Sequence, residues 1–449
     1  MAALPRTTDP VFLLSMSPKR IHERKRNAEG ALARREKRLA YALLMPTFTL
    51  VLAVVLLPLV ANFWISFKPV TLSDLRAPTL VLKENLRGDL DSPGQQARIE
   101  YRYRNSSQKY PLRAVAFSDV IPGDIAVTDL PDGCSLAPAQ QNSVLRCDLG
   151  DIERKGRGRI RIGVEAKQAV SDGKALLRSS RPDVQFTAYN VMTSTDFSLV
   201  NFKKVFSASE FWDVLKTSVY YTVFGTAGAL ILGLFAAQIM QKAFPGRSVI
   251  RGLLLFPYVA PVIAVAFSWV VLFDPFSGAV NAMLQQMGAA EGPINFFGKR
   301  TVEISLFGLS FGLPLALTMV ILFEVWRYFP LSFLFILARM QSVPSDIYEA
   351  AEIDGATPMQ QFRFLSLPHI AGILAVLFLL RFIWTFNKFD DIFLLTGGNA
   401  GTRTLTVNVY EQAFAISNLG AGAAVAVVIF ALLLVFSVIF IRFSPKDAG

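Results

Sequence analysis

The chain is predicted to be a mainly α polytopic membrane protein, with six transmembrane helices and a β-sandwich insert between the first and the second. Three observations predict this. The 449 residues are 53% hydrophobic and 12% aromatic, more than an ordinary soluble domain carries. Long apolar runs alternate with short loops in which Lys and Arg gather, the pattern of cytoplasmic loops in membrane proteins. One large polar segment, residues 68–209, reads instead as short strands and turns. The net charge of +11 does not indicate nucleic acid, because the basic residues do not interleave with aromatics on one polar domain.

Residues 1–38 form a basic arm, in which nine Lys or Arg face three Glu between Lys19 and Arg38. The arm is expected to be a cytoplasmic flank that touches anionic lipid. No cleavable signal peptide is evident ahead of it, and Met16 is an alternative start. Residues 39–67 are the first span, long enough for ~30 Å of hydrocarbon, with Trp64 as an interfacial anchor.

The insert, 68–209, has an expected sandwich core at about 83–180. Residues 96–104 alternate around Ile99, Tyr101 and Tyr103, residues 114–120 are apolar and β-rich, and 159–164 alternate Arg with Ile. Pro122-Gly123, Pro131-Asp132-Gly133 and Asp172-Gly173 punctuate them as turns. Cys134 and Cys147 both fall here. In an oxidising compartment they are expected to form one local disulfide, the alternative being two buried free thiols. The only histidines, His22 and His369, lie at no metal-ligand spacing from them, so no metal site is expected. The run 120–129, then Gly133-Cys134 and 146–150, resembles the immunoglobulin-like repeat domains of bacterial surface proteins. No acid pair, nucleophile with its base, or phosphate-binding loop is present in it, which points to binding or scaffolding rather than catalysis.

Residues 202–216 read as an interfacial helix leading to the second span, 217–240. Lys242, Arg247 and Arg251 then make a basic loop. The third span, 249–273, contains Pro257 and Pro261, which remove backbone donors and imply a kink. Residues 274–303 are an outer loop with a short amphipathic helix. The fourth span, 311–338, is expected to be interrupted by Glu324, Arg327 and Pro330. A polar loop, 339–366, follows, then the fifth span, 367–385, an outer segment, 387–418, and the sixth span, 419–441. Residues 210–449 thus form a five-helix core, and six spans place both termini on the cytoplasmic side of the cell (inner) membrane.

The polar loop demands a reason. Ser345 is a plausible helix start with acids in the first turns, Gly355 a plausible C-cap, and Tyr348, Ala351 and Glu352 share one helical side. Such an element, broken and polar between two spans, suits docking on a cytoplasmic partner. Its motifs, Glu349-Ala350-Ala351, Asp354-Gly355-Ala356 and Leu367-Pro368, resemble the EAA loop of the permease subunits of binding-protein-dependent ABC importers, most closely the maltose-type and glycerol-phosphate-type sugar importers. Phe211-Trp212, Leu255-Phe256-Pro257, Leu272-Phe273-Asp274-Pro275 and Leu395-Thr396-Gly397-Gly398 resemble the same family.

The resemblance implies that 349–355 is a coupling helix seated on an ATPase subunit, with Glu349 pairing to it and Gly355 allowing the bend. No Gly-x-x-x-x-Gly-Lys-Ser/Thr occurs in the chain, so ATP and Mg are expected on partner subunits, with no cofactor bound by this chain and no enzymatic role of its own. The implied partners are a second permease subunit in a heterodimer, two ATPase subunits, a solute-binding protein on the outer face and membrane lipid, without nucleic acid.

Charges inside the spans are the second clue. Glu324, Arg327 and Arg381 fall in apolar runs, where each unpaired charge costs at least about 2.5 kcal/mol, so they line a cavity or pair with one another; Glu324 and Arg327 stand at pairing distance on one helix. By the resemblance, the solute path takes in Glu324, Arg327, Tyr328 and Leu331 on the fourth span and Arg381, Trp384, Thr385 and Lys388 on the fifth. The function expected is that of a permease for a carbohydrate or related solute. The alternative from another class is a membrane-anchored sensor or adhesion protein working through the sandwich, for which five further spans are excessive. A secondary transporter is expected to show inverted repeats, and none is seen. The insert, on the outer face, is expected to cradle the binding protein.

Overall fold

The computed structural model describes residues 31–139, 142–170, 172–173, 177, 181–241, 243–306 and 309–444. Most of the basic arm, including Met16, lies outside the described residues, as do Lys242 and the tail beyond 444. The chain divides into two units between Trp64 and Ile65. The first contains α1 (Ala31–Val51), a π turn at Leu52–Leu56 and α2 (Leu57–Ser66) up to Trp64, Ile65 and Ser66 falling in the second unit.

The second unit opens with eight strands: β1 (Leu80–Arg87), β2 (Gln96–Asn105), β3 (Leu112–Ile121), β4 (Ile125–Asp129), β5 (Cys134–Ala139), β6 (Asn142–Ile152), β7 (Arg157–Ala166) and β8 (Asp183–Ala188). They pair antiparallel in two four-stranded sheets, ordered β1-β2-β7-β4 and β5-β6-β3-β8. Alternation drives the arrangement. Ile99, Tyr101, Ile162 and Val164 of the first sheet share one apolar core with Phe117, Ile121, Leu145 and Cys147 of the second. Cys134 stands directly opposite Cys147 across β5 and β6, and the two are disulfide-bonded. The strands span 80–188, wider than the expected 83–180. The last strand escaped notice because its alternating Val184, Phe186 and Ala188 are only half-buried at an edge.

The two ends of the strand region are tied to the helical part by hydrogen bonds to backbone carbonyls. Asn201 Nδ2 donates to Ser66 O at 2.9 Å and Lys68 O at 2.7 Å, and Leu72 N donates to Ser417 O at 3.0 Å. The buried Lys68 ammonium donates in turn to Val191 O at 3.1 Å and to Ser194 O.

The helical part comprises α3 (Val200–Ser207), α4 (Phe211–Gln241), α5 (Arg247–Val259), α6 (Val262–Leu272), α7 (Ala279–Gln286), a hairpin β9 (Val302–Leu306) and β10 (Leu309–Leu313), α8 (Leu315–Met340), α9 (Ser345–Ile353), α10 (Pro358–Gln361), a π turn at Phe362–Ser366, α11 (Leu367–Phe386), α12 (Asp390–Thr396), α13 (Leu405–Tyr410), a π turn at Glu411–Ala415 and α14 (Leu419–Phe443). Among the described residues, five helices are long and apolar enough to cross a membrane, and α5 with α6 makes a sixth if the bent pair is one span. That pair differs from the expected kinked helix: it turns through 92°. Pro257 removes a donor inside α5, and Ala260 and Pro261 adopt extended backbone, so no hydrogen-bond ladder crosses the break.

Two other expectations are corrected. The helix read over 202–216 is two helices, since Ser207 bonds back to Lys204 O at 3.4 Å and Ala208 turns extended, leaving Phe211 to start α4. The fourth span starts at Leu315, after the hairpin that holds Phe311, and runs unbroken through Glu324, Arg327 and Pro330. Its charges do not interrupt it because each finds a partner off the helix. Close approach of α4 and α8 requires small residues: a Cβ on Gly233 stands 2.8 Å from Phe333 N and one on Gly225 3.0 Å from the Glu324 side chain.

Candidate functional site

Two features occupy the hairpin of α8, the polar loop and α11. The first is the loop itself. In α9 no residue is buried. Glu349, Ala350, Asp354 and Gly355 are exposed, Ala351 is half-buried beside Tyr348, and Ile353 is 87% exposed. The helix stops at Gly355, whose φ of +80° is left-handed. Gly355 N donates to Glu352 O at 3.0 Å and Ala356 N to Ala351 O at 2.9 Å, the paired bonds of a Schellman cap. Thr357 and Gln360 then close a capping box around α10. Tyr348 Oη and Ser366 Oγ share a hydrogen bond of 2.9 Å that ties α9 to the turn ahead of α11, where Leu367 and Pro368 begin the helix, both exposed.

The second feature is a buried cluster of charge. Glu324 on α8 is fully buried and its carboxylate is saturated. Oε1 accepts from Arg381 Nη2 and from Thr385 Oγ1 at 2.9 Å, both on α11, and Oε2 accepts from Tyr221 Oη on α4 at 2.9 Å. Three helices meet at one carboxylate. The pairing of Glu324 with Arg327 along α8 does not form, because Arg327 reaches another target. Its Nη1 donates to Pro257 O at 3.2 Å and its Nη2 to Ala260 O at 3.1 Å. These are carbonyls at the break between α5 and α6, so the guanidinium satisfies backbone groups that the 92° bend sets free.

Tyr328 joins the two halves. The Arg381 guanidinium and the Lys388 ammonium each lie 4.4 Å from its ring centroid, within cation–π range, and Lys388 Nζ also donates to its hydroxyl. Lys388 further stands 3.5 Å from Asp390 and 3.6 Å from Asp391. Asp391 is fully buried, and neither of its carboxylate oxygens has a hydrogen-bond partner among the described residues.

Of the residues expected on the solute path, Glu324, Arg327, Tyr328, Arg381, Thr385 and Lys388 come together. Leu331 is half-buried and takes no part in the polar contacts, and Trp384, although three residues from Arg381 on α11, is 48% exposed. Sequence reasoning missed Tyr221 and Asp391. A hydroxyl at the tip of an aromatic ring leaves no charge signal in an apolar run, whereas the Lys388-Phe389-Asp390-Asp391 string was visible and stood just past the predicted span. The cluster counts three acids, Glu324, Asp390 and Asp391, and three bases, Arg327, Arg381 and Lys388.

Residues 229–446 match the family model described as binding-protein-dependent transport system inner membrane component. Over 246 residues the chain is 35% identical to the inner membrane ABC transporter permease protein YcjO of Escherichia coli (strain K12), covering 55% of this chain and 78% of that protein. It is 32% identical over 245 residues to the trehalose/maltose transport system permease protein MalF of Thermococcus litoralis, covering 54% and 78%. It is 28% identical over 256 residues to the trehalose transport system permease protein SugA of Mycobacterium tuberculosis, covering 56% and 77%.

Proposed function

The chain belongs to the family of binding-protein-dependent transport system inner membrane components and is a multi-pass permease subunit of an ABC importer, and on that premise we propose that it forms part of the path of a carbohydrate or related solute. In this reading six spans carry both termini, and α9 with them, on the cytoplasmic side, with the strand region outside as an immunoglobulin-like sandwich. The positive-inside distribution supports this orientation, and so does the disulfide, which belongs to an oxidising compartment.

The observation that carries the reading is the exposed helix α9, with no buried residue, fixed at its end by the left-handed Gly355. In this reading α9 is the coupling helix. Glu349, Ala350 and Ala351 dock on one of two ATPase subunits that hold ATP and Mg, Asp354 and Gly355 end the helix, and Leu367-Pro368 returns the chain to the membrane. A second permease subunit completes a heterodimer, and a solute-binding protein delivers to the outer face. Because α8 and α11 flank the loop, movement of α9 reaches Glu324 and Arg381 along two helices, a rigid-body transition of the familiar kind.

A neutral carbohydrate fits the cluster better than its charges first suggest. Glu324 and Arg381 neutralise each other, Arg327 is engaged by carbonyls, and Lys388 faces Asp390 and Asp391. Tyr258, 39% exposed, with its ring centroid 6.0 Å from that of Tyr328, offers aromatic surface of the kind that sugar rings stack on. The names of the relatives, two of them trehalose permeases, point the same way. The test is ATP hydrolysis by the reconstituted complex. Glu349→Lys is expected to lower binding-protein-stimulated hydrolysis at least tenfold; hydrolysis and uptake undiminished by the substitution would refute the coupling role.

A further inference from the structure

The sheet β1-β2-β7-β4 turns one face to the insert's core and the other to solvent. On the outward face, several cross-strand partners repeat one sign, while Glu100 stands opposite Arg161. Lys83 stands opposite Arg102, which stands opposite Arg159, and Arg104 stands opposite Arg157. One step along, Arg87 faces Arg98. Glu100, the carboxylate among them, is already taken, accepting from Arg102 Nε at 2.7 Å and from Arg87 Nε at 3.4 Å. Lys83, Arg104, Arg157 and Arg159 are exposed, and among the described residues their side chains have no ion pair or hydrogen bond. Like charges set directly opposite one another destabilise a sheet, so stability of the fold does not account for this pattern. A bound counter-charge does.

We propose that this face is a binding track for an acidic glycan chain. A groove of about 620 Å³ runs over the Lys83, Arg102, Arg104, Arg157 and Arg159 rows. Along β7 the outward Arg157, Arg159 and Arg161 recur every ~7 Å, and on β2 the stripe from Arg98 to Arg104, interrupted by Glu100, is ~20 Å long, which suits a linear polymer with carboxylates or sulfates at each sugar. The guanidinium fork matches such oxyanions in two-point contacts.

Other occupants fit less well. A protein interface is depleted of charge at its centre and enriched in aromatics, and this face has the reverse composition. Single-stranded nucleic acid needs exposed rings for its bases, whereas Tyr103 packs inward with Leu80 and Leu112. The stripe begins at Arg104, beside the cavity that also touches Ser417 of the helical part, and runs away from there along the strands, so a flat layer of lipid headgroups meets only its first row. A glycan as the occupant rests on the outer placement proposed above.

The test uses the full chain in nanodiscs of phosphatidylcholine, without ATP or ATPase subunits, so its outcome is separate from that of the coupling experiment. Fluorescent oligogalacturonate is the probe, read by anisotropy. Binding is expected at low salt, falling at least tenfold at high salt, with none for a neutral dextran of equal length. The triple substitution Arg104→Gln, Arg157→Gln, Arg159→Gln is expected to weaken binding at least tenfold, while leaving the protease resistance of the insert unchanged. Three results would overturn the proposal: no binding at low salt, binding equal in the triple variant, or a poly-glutamate peptide or oligo-dT held more tightly than the glycan through the same arginines. Should the triple variant lose protease resistance, the single Arg159→Gln, expected to weaken binding at least threefold, decides in its place.

Discussion

Glu324 shows how a single side chain organises the core. Buried ionic groups persist only when paired and hydrogen-bonded, and here one carboxylate accepts from Arg381, Thr385 and Tyr221 together. Glu324→Ala leaves Arg381 buried without its counter-charge and is expected to cost about 3–5 kcal/mol in the unfolding of the detergent-solubilised protein. The double variant Glu324→Ala, Arg381→Leu is expected to cost less than the sum of the single changes. Outside the membrane, Glu84 provides a pH signature. Burial first, and the neighbouring Asp119 second, push its carboxyl from 4.5 up to about 7. The folded protein therefore holds a proton that the unfolded chain releases between those values. The contribution of this group is complete below pH 4.5 and is lost as pH rises through about 7. The protection factors of the β1 and β2 amides, which discount the intrinsic rise of exchange with pH, are expected to fall over that window, and Glu84→Gln to remove the trend. At this scale the sequence revealed which charges needed partners, because lone charges in apolar runs are costly. It did not reveal the partners, since Glu324 and Arg381 are 57 residues apart and the nearer Arg327 offered a pairing that a distant carbonyl pair outcompetes.

Elements respond to backbone constraints more than to composition. Gly355 is open to space on every side, with no atom within 4 Å of an added Cβ, so its role is conformational alone. Gly355→Ala is expected to cost ~1–2 kcal/mol through the left-handed backbone, read as faster exchange at the C-terminal amides of α9 while α8 and α11 stay protected. The helix end was legible, because glycine after a run of helix formers is a stop signal. The break between α5 and α6 was legible only in part. Pro257 and Pro261 announce lost donors, but the angle depends on Arg327 reaching the freed carbonyls, a contact between segments 70 residues apart. The hairpin β9–β10, five residues per strand, and the half-buried edge strand β8, six residues, escaped because runs so short do not stand out by period alone.

For the whole molecule, the proposed function makes the hairpin of α8, the polar loop and α11 the unit that ties solute path to energy source. The family match begins inside α4 at residue 229, so the strand region lies outside the matched segment, and Asn201 and Lys68 anchor its ends. Its presence was legible from the shift to strand periodicity, and its basic face only from the register that sets Lys83, Arg102 and Arg159 in one row. The central claim is that α9 lies in the cytoplasm against an ATPase subunit. Site-directed labelling at Ile353, 87% exposed, tests it most directly. In intact cells Ile353→Cys is predicted to resist a membrane-impermeant maleimide from outside, and to form a cross-link to the ATPase subunit with a short bifunctional reagent in inside-out vesicles. Labelling from outside, or no cross-link in an assembled complex, would contradict the account.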